Sequence, residues 1–193
     1  MHSSQNKLLI FLAAIVGILV VLLLLFYKGQ QRTADYWISE LNLQRLPQEG
    51  GYFRETYRSS EEVSQECLPS RYGGPRNLST SIYYLMTPKE FSAFHRLQTD
   101  ENWFHHDGET VTIYIIFPDG TLDERKIGPE VNNFSTTVPR GTWFAAAVPK
   151  NFGLVSTTVA PGFEPADVEF TTQQQLTQQY PEYSDLIARY TRE

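Results

Sequence analysis

The chain has 193 residues, 41% hydrophobic and 13% aromatic, with a formal charge of −6 at pH 7. One domain with an appendage is the expected scale, and an acidic chain with no basic stripe excludes a nucleic-acid partner. The lone cysteine, Cys67, excludes an internal disulfide framework and a cysteine-based zinc site.

The first element is an apolar run. Leu8 to Tyr27, LLIFLAAIVGILVVLLLLFY, carries no charge and as a helix would span roughly 30 Å, the thickness of a bilayer's hydrocarbon core. A secretory signal has a shorter apolar region, ~7–15 residues, ending in small residues at a cleavage site. This run ends in Phe26-Tyr27-Lys28. The expectation is a tail over 1–7, a single membrane-spanning helix over 8–27, a linker over 28–34 and a folded domain over 35–193. Lys7 lies before the span and Lys28 and Arg32 after it, so charge does not fix the side of the membrane. Asn77-Leu78-Ser79 and Asn133-Phe134-Ser135 are glycan-acceptor sequons.

Beyond the linker, Trp37, Ile38 and Leu41 recur at helical spacing and predict a helix from Thr33 to about Leu43, stopped by Pro47 and Gly50-Gly51. The pattern then changes to short apolar runs bounded by turns, the mark of an all-β core. Strands are expected at 52–57, 79–86, 91–97, 101–106, 110–117, 121–127, 134–138, 142–148, 152–159 and 166–170, with a polar loop over 59–77 and a hairpin turn at Pro118-Asp119-Gly120. Two helices close the chain, 172–179 and 184–190, the second with Leu186, Ile187 and Tyr190 on its apolar face. Ten short strands around one core suggest a sandwich or small barrel.

Five blocks carry a family resemblance: EGGYFRETYRS (49–59), TSIYYLMTPKEFSAFHRLQTDENW (80–103), FPDGTL (117–122), VPRGTWFAA (138–146) and TVAPGFEPADVEF (158–170). In this order they resemble the fifth cupin family, long catalogued as a domain of unknown function. The resemblance implies an all-β double-stranded β-helix, or jelly roll, like that of the dTDP-sugar epimerases, with short flanking helices, and usually a homodimer. It implies no settled reaction.

The general cupin pattern also bears on FHRLQTDENWFHHDG (94–108), which holds three of the four histidines. Metal cupins carry H-x-H, a Glu, a Gly seven residues on, and a later P-x-G-x-x-H. Here His95, Glu101 and Gly108 stand in register, but the second histidine position is Leu97 and the last is Phe144. Two of four ligand positions are hydrocarbon, short of the three or four donors a first-row ion needs. No metal and no other cofactor is therefore expected. Alternation puts Glu101, Trp103 and His105 on one face and Asn102, Phe104 and His106 on the other. Relatives more often read W-H-F-H-x-G where this chain reads W-F-H-H-D-G, so the match carries over to His106 and not to His105.

The lumen is expected to be a small-molecule pocket lined by Tyr52, Arg54, Tyr57, Tyr83, His95, Glu101, Trp103, Trp143 and Phe144. Trp143 and Phe144 offer rings for stacking, Arg54 a planar fork for an anion, and His95 a group that titrates near neutrality in water. The leading expectation is a membrane-anchored, dimeric cupin binding a small polar ligand, a sugar derivative among the candidates, without a metal. The alternatives are an isomerase or epimerase, with His95 as base and Tyr57 or Tyr83 as acid, and a non-catalytic interaction module with a vestigial pocket. Each site residue has a plain structural reading beside it: a satisfied barrel histidine, an arginine paired across the sheet, aromatic core.

Overall fold

A computed structural model describes residues 11–13, 15–22 and 32–192. The expected span thus lies partly outside the described residues. Those of it that are described are helical and exposed, Phe11, Ile15 and Leu22 among them. Among the described residues no helix is long and apolar enough to cross a membrane. Residues 34–193 form a compact unit of their own.

That unit opens with helix α1 (Ala34–Glu40), followed by β1 (Gln44–Arg45), β2 (Tyr52–Arg58), β3 (Glu62–Val63), β4 (Arg76–Asn77), β5 (Thr80–Met86), β6 (Ser92–Leu97), β7 (Glu101–Gly108), β8 (Val111–Ile116), β9 (Leu122–Ile127), β10 (Ser135–Val138), β11 (Trp143–Ala147), β12 (Gly153–Val159) and β13 (Val168–Phe170), and closes with α2 (Gln173–Gln179) and α3 (Ser184–Tyr190). The strands form a six-stranded sheet, β1-β2-β5-β12-β7-β10, and a five-stranded sheet, β13-β6-β11-β8-β9, antiparallel throughout. This is a two-sheet jelly roll, a mostly-β fold with short helices.

Three apolar clusters hold it. The largest includes Tyr84, Trp103, Ile113, Ile115, Phe144 and Val155, drawn from both sheets, as expected where two sheets interdigitate. On the outer side of the six-stranded sheet, Trp37, Ile38 and Leu41 of the α1 segment pack with Leu43, Leu85, Phe152 and Leu154. On the outer side of the five-stranded sheet, Leu186, Ile187 and Tyr190 of α3 join Leu176, Phe94, Ile116 and Trp143. Thr172 caps α2 through a reciprocal bond with Gln175, which satisfies two N-terminal backbone donors.

The loop expected over 59–77 contains the two-stranded β3–β4 ladder, with Glu62 opposite Asn77. Two-residue strands are too short to show alternation. The strand expected from 166 begins at Val168, because Pro165–Asp167 forms a single 3-10 turn. Asp167 is buried and takes both Arg76 Nε and Nη2, at 2.8 and 2.7 Å, a bidentate pair that ties β4 to the entry of β13. Both sequon amides are engaged: Asn77 Nδ2 donates to Ser59 O, and Asn133 Nδ2 to Lys126 O.

Candidate functional site

A cavity of about 720 Å³ opens between the sheets, lined from β2, β5, β7 and β12 on one side and β6 and β13 on the other. Its apolar wall includes Leu46, Phe53, Ile82, Leu97, Phe163 and Phe170; its polar wall includes Glu49, Glu55, Arg58, Thr80, His95, Glu101 and Thr157. The volume falls within the usual range for small-molecule sites, roughly 300–1,000 Å³.

His95 is nearly fully buried, at 2% exposure. Its Nδ1 is 2.7 Å from Ala93 O. A carbonyl only accepts, so Nδ1 carries a proton and donates it there. Nε2 lies 3.9 Å from Glu49 Oε2, beyond hydrogen-bond reach. Phe144 lies against the imidazole with ring centres 4.1 Å apart. Behind it run Trp103, 6.3 Å from Phe144, and Tyr84, 6.1 Å from Trp103, both edge-on.

Glu101 opens β7 and is buried. It accepts Trp103 Nε1 at 2.7 Å. Loss of water pushes its carboxyl up to about 7; His95 and the hydrogen bonds from Thr157 and Trp103 oppose that rise, and Glu49 adds to it. The site therefore sets an acid that holds its proton well above the usual carboxylate range beside an imidazole.

Glu49 lines the cavity and is not among the site residues that the sequence points to. It lies in the segment before β2, where side-chain alternation gives no guide. Its carboxylate accepts Ser92 Oγ at 2.8 Å, and its carbonyl accepts Ala93 N at 2.8 Å. Arg192, near the end of the chain, donates from Nε to the same Glu49 carbonyl and from Nη2 to Phe91 O. The following turn needs glycine. Gly51 has φ +68°, and a Cβ there would meet the Tyr84 ring at 2.7 Å; the Tyr84 hydroxyl donates to Gly50 O. The signal was present in E-G-G-Y, an acid placed just before a turn of fixed shape.

At the other end of the polar wall Arg58 makes five hydrogen bonds: two to Glu55, and one each to Asn77, Glu164 and the Phe163 carbonyl.

Of the residues expected to line the lumen, the structure brings His95 and Glu101 together in the wall, with Trp103 and Phe144 packed behind them. The other five are corrected. Tyr57 is 54% exposed. Tyr52 packs in the cluster beneath α1. Arg54 lies over the Tyr83 ring at 5.9 Å, and Tyr83 meets His106 at 5.7 Å; none of these lines the cavity. Trp143 faces the C-terminal helices, with Arg96 over its ring. The reason lies in β2, whose inward residues are Phe53, Glu55 and Arg58. A register shift between Glu55 and Tyr57 inserts an extra residue, so strict alternation fails there. A second register shift does the same on β7, where Leu154 pairs with Asp107 and Val155 with His105, leaving His106 as the extra residue. Neither His105 nor His106 lines the cavity; His105 Nε2 pairs with Glu109 O at 2.9 Å.

The metal that cupin folds imply does not fit these residues. Leu97 lines the cavity beside His95, and the Phe144 ring covers the imidazole. Among the described residues no group of three or more His, Cys, Asp or Glu side chains is arranged to hold an ion.

Comparison with known proteins agrees with the fold. The chain is 33% identical over 141 residues to an uncharacterized protein of Saccharomyces cerevisiae, a match covering 63% of this chain and 67% of that one. A hypothetical protein from Leishmania major superposes with a TM-score of 0.75 at 32% identity, over 83% of this chain and 99% of the other. A Shewanella oneidensis protein gives 0.75 at 34%, over 84% and 99%. The family model described as Cupin superfamily (DUF985) matches residues 35–171, and the chain belongs to that family.

Proposed function

We propose that this protein binds a small organic molecule in the cavity between its sheets, without a metal. One observation carries the reading: a cavity of about 720 Å³ whose mostly apolar wall converges on His95, Glu101 and Glu49. Large apolar pockets with a few convergent polar groups are the usual form of a ligand site. Trp103 and Phe144 pack behind the wall and leave the space open, which speaks against a vestigial pocket. Native mass spectrometry of the purified protein and of a Leu97→Trp variant, which fills the cavity, tests this. A small molecule retained by the parent and lost from the variant is expected. A protein that retains nothing and binds no member of a fragment panel overturns it.

Proton transfer is a second reading, favoured by the juxtaposition of Glu101 and His95. It differs from the epimerase expectation in its partner: among the described residues no tyrosine lines the cavity, so Glu101 replaces Tyr57 and Tyr83 as the group beside His95.

We also propose the apolar run over 8–27 as a membrane anchor; its described residues are helical with outward apolar side chains. Resistance of the full chain to alkaline extraction from membranes, lost on deleting residues 1–33, checks it. A homodimer is supported by Phe104 and Phe134, both exposed where β7 meets β10, and light scattering would report it.

A further inference from the structure

The charges around the cavity select the kind of ligand it takes. Among the described residues three acids, Glu49, Glu55 and Glu101, line it against one arginine, Arg58, with no lysine. Arg58 has no donor to spare: Nε, Nη1 and Nη2 make five hydrogen bonds to Glu55, Glu164, Asn77 and the Phe163 carbonyl. An anion entering the cavity would therefore meet no free guanidinium or ammonium. At the inner end it would meet the Glu49 carboxylate, held at Oε1 by Ser92, and the buried Glu101 carboxyl group. Burial strengthens such like-charge repulsion.

The same groups suit a hydrogen-bond donor. Glu49 is held by Ser92, so its Oε1 is committed and its Oε2 is presented. His95 is 2% exposed, and its Nε2 makes no hydrogen bond. His95 gives its Nδ1–H to Ala93 O and turns Nε2 toward Glu49 Oε2, 3.9 Å away. The Glu49 and Glu101 carboxyl groups thus converge with only uncharged donors beside them, Ser92, Thr157 and Trp103, and no free guanidinium or ammonium. Phe53, Phe163 and Phe170 supply apolar and ring surface for the body of the ligand, and ring faces attract cations.

We infer that the cavity takes a ligand bearing a cationic or donor-rich nitrogen, an amine or a protonated nitrogen heterocycle on an apolar body, with the nitrogen held between Glu49 and Glu101. This rests on the ligand-binding reading above and narrows it. It excludes phosphorylated sugars, sugar nucleotides and small carboxylates as the primary ligand.

Three probes with matched apolar bodies test the inference on the full chain: phenethylamine as cation, phenethyl alcohol as neutral and 3-phenylpropionate as anion, each titrated at neutral pH with NMR detection. Phenethylamine is expected to bind more than about tenfold more tightly than 3-phenylpropionate, a margin that one desolvated charge pair can supply. In Glu49→Gln and Glu101→Gln the amine should weaken about tenfold while the alcohol moves less than about threefold. The alcohol thereby reports that the cavity is intact. Equal or tighter binding of 3-phenylpropionate overturns the charge inference and leaves the cavity as a binding site. Failure of all three probes, or binding unchanged in Leu97→Trp, overturns the cavity reading itself.

Discussion

The Trp103 indole donates its Nε1 proton to the Glu101 carboxylate at 2.7 Å, from two residues along the same strand. Residues two apart point the same way, so β7 supplies both a buried acid and its donor. The donor partly offsets desolvation, and the carboxyl still comes to about 7.

A pH dependence follows, with a definite sign. In the folded protein Glu101 holds its proton to about pH 7, whereas in the unfolded chain it loses it near 4.5. Between those values the folded state binds more protons, so stability falls as pH rises, by on the order of 3 kcal/mol for this group. The stabilising contribution is complete below about pH 4.5 and lost above about 7. Urea denaturation at pH 5 and pH 8 should show a smaller decline in Glu101→Gln than in the parent. Equal declines would place Glu101's ionisation elsewhere.

The hydrocarbon at the two former ligand positions can be reversed. Leu97→His with Phe144→His would set three imidazoles and Glu101 about one point, a donor set suited to first-row ions. The double variant is expected to carry a stoichiometric divalent metal by elemental analysis after dialysis against zinc or manganese. A metal-free double variant would show that more than the missing imidazoles bars an ion.

Gly51→Ala forces a side chain into the left-handed region at φ +68° and onto the Tyr84 ring. Left-handed strain alone costs about 1–2 kcal/mol, and the clash adds to it. The loss should be visible in the urea midpoint. Because Glu49 sits two residues earlier, binding of any cavity ligand should weaken as well.

Asp167→Ala leaves Arg76 buried, at 6% exposure, with its carboxylate partner gone. Removing one member of such a pair costs about 3–5 kcal/mol. Replacing both residues with apolar ones should recover much of the loss, which a double-mutant cycle would measure.

Tyr57→Phe and Tyr83→Phe should leave ligand binding unchanged, since both hydroxyls lie outside the cavity. Titration of the same ligand against parent and variants checks the corrected placement of these residues.

The barrel was legible because its blocks stand in family order and its flanking helices show clear stripes: Trp37, Ile38 and Leu41, and Leu186, Ile187 and Tyr190, all pack where periodicity placed them. His95 and Glu101 were legible from the spacing to Gly108. The phase of β2 was not. In Y-F-R-E-T-Y aromatics fall on both faces, because Tyr52 is covered by the α1 segment and Phe53 by the core. Nothing in a doubly covered strand marks the inward side, and the bulge after Glu55 erases what alternation remains. Glu49 was hidden for a different reason: its place is set by Ser92, Ala93 and Arg192, partners more than forty positions away.

The hold of Arg192 on the Glu49 carbonyl joins the tail of the polypeptide to one wall of the cavity. Shortening the protein by even its last two residues should loosen that wall, so the reach of the C-terminus bears on the shape of the hollow between the sheets.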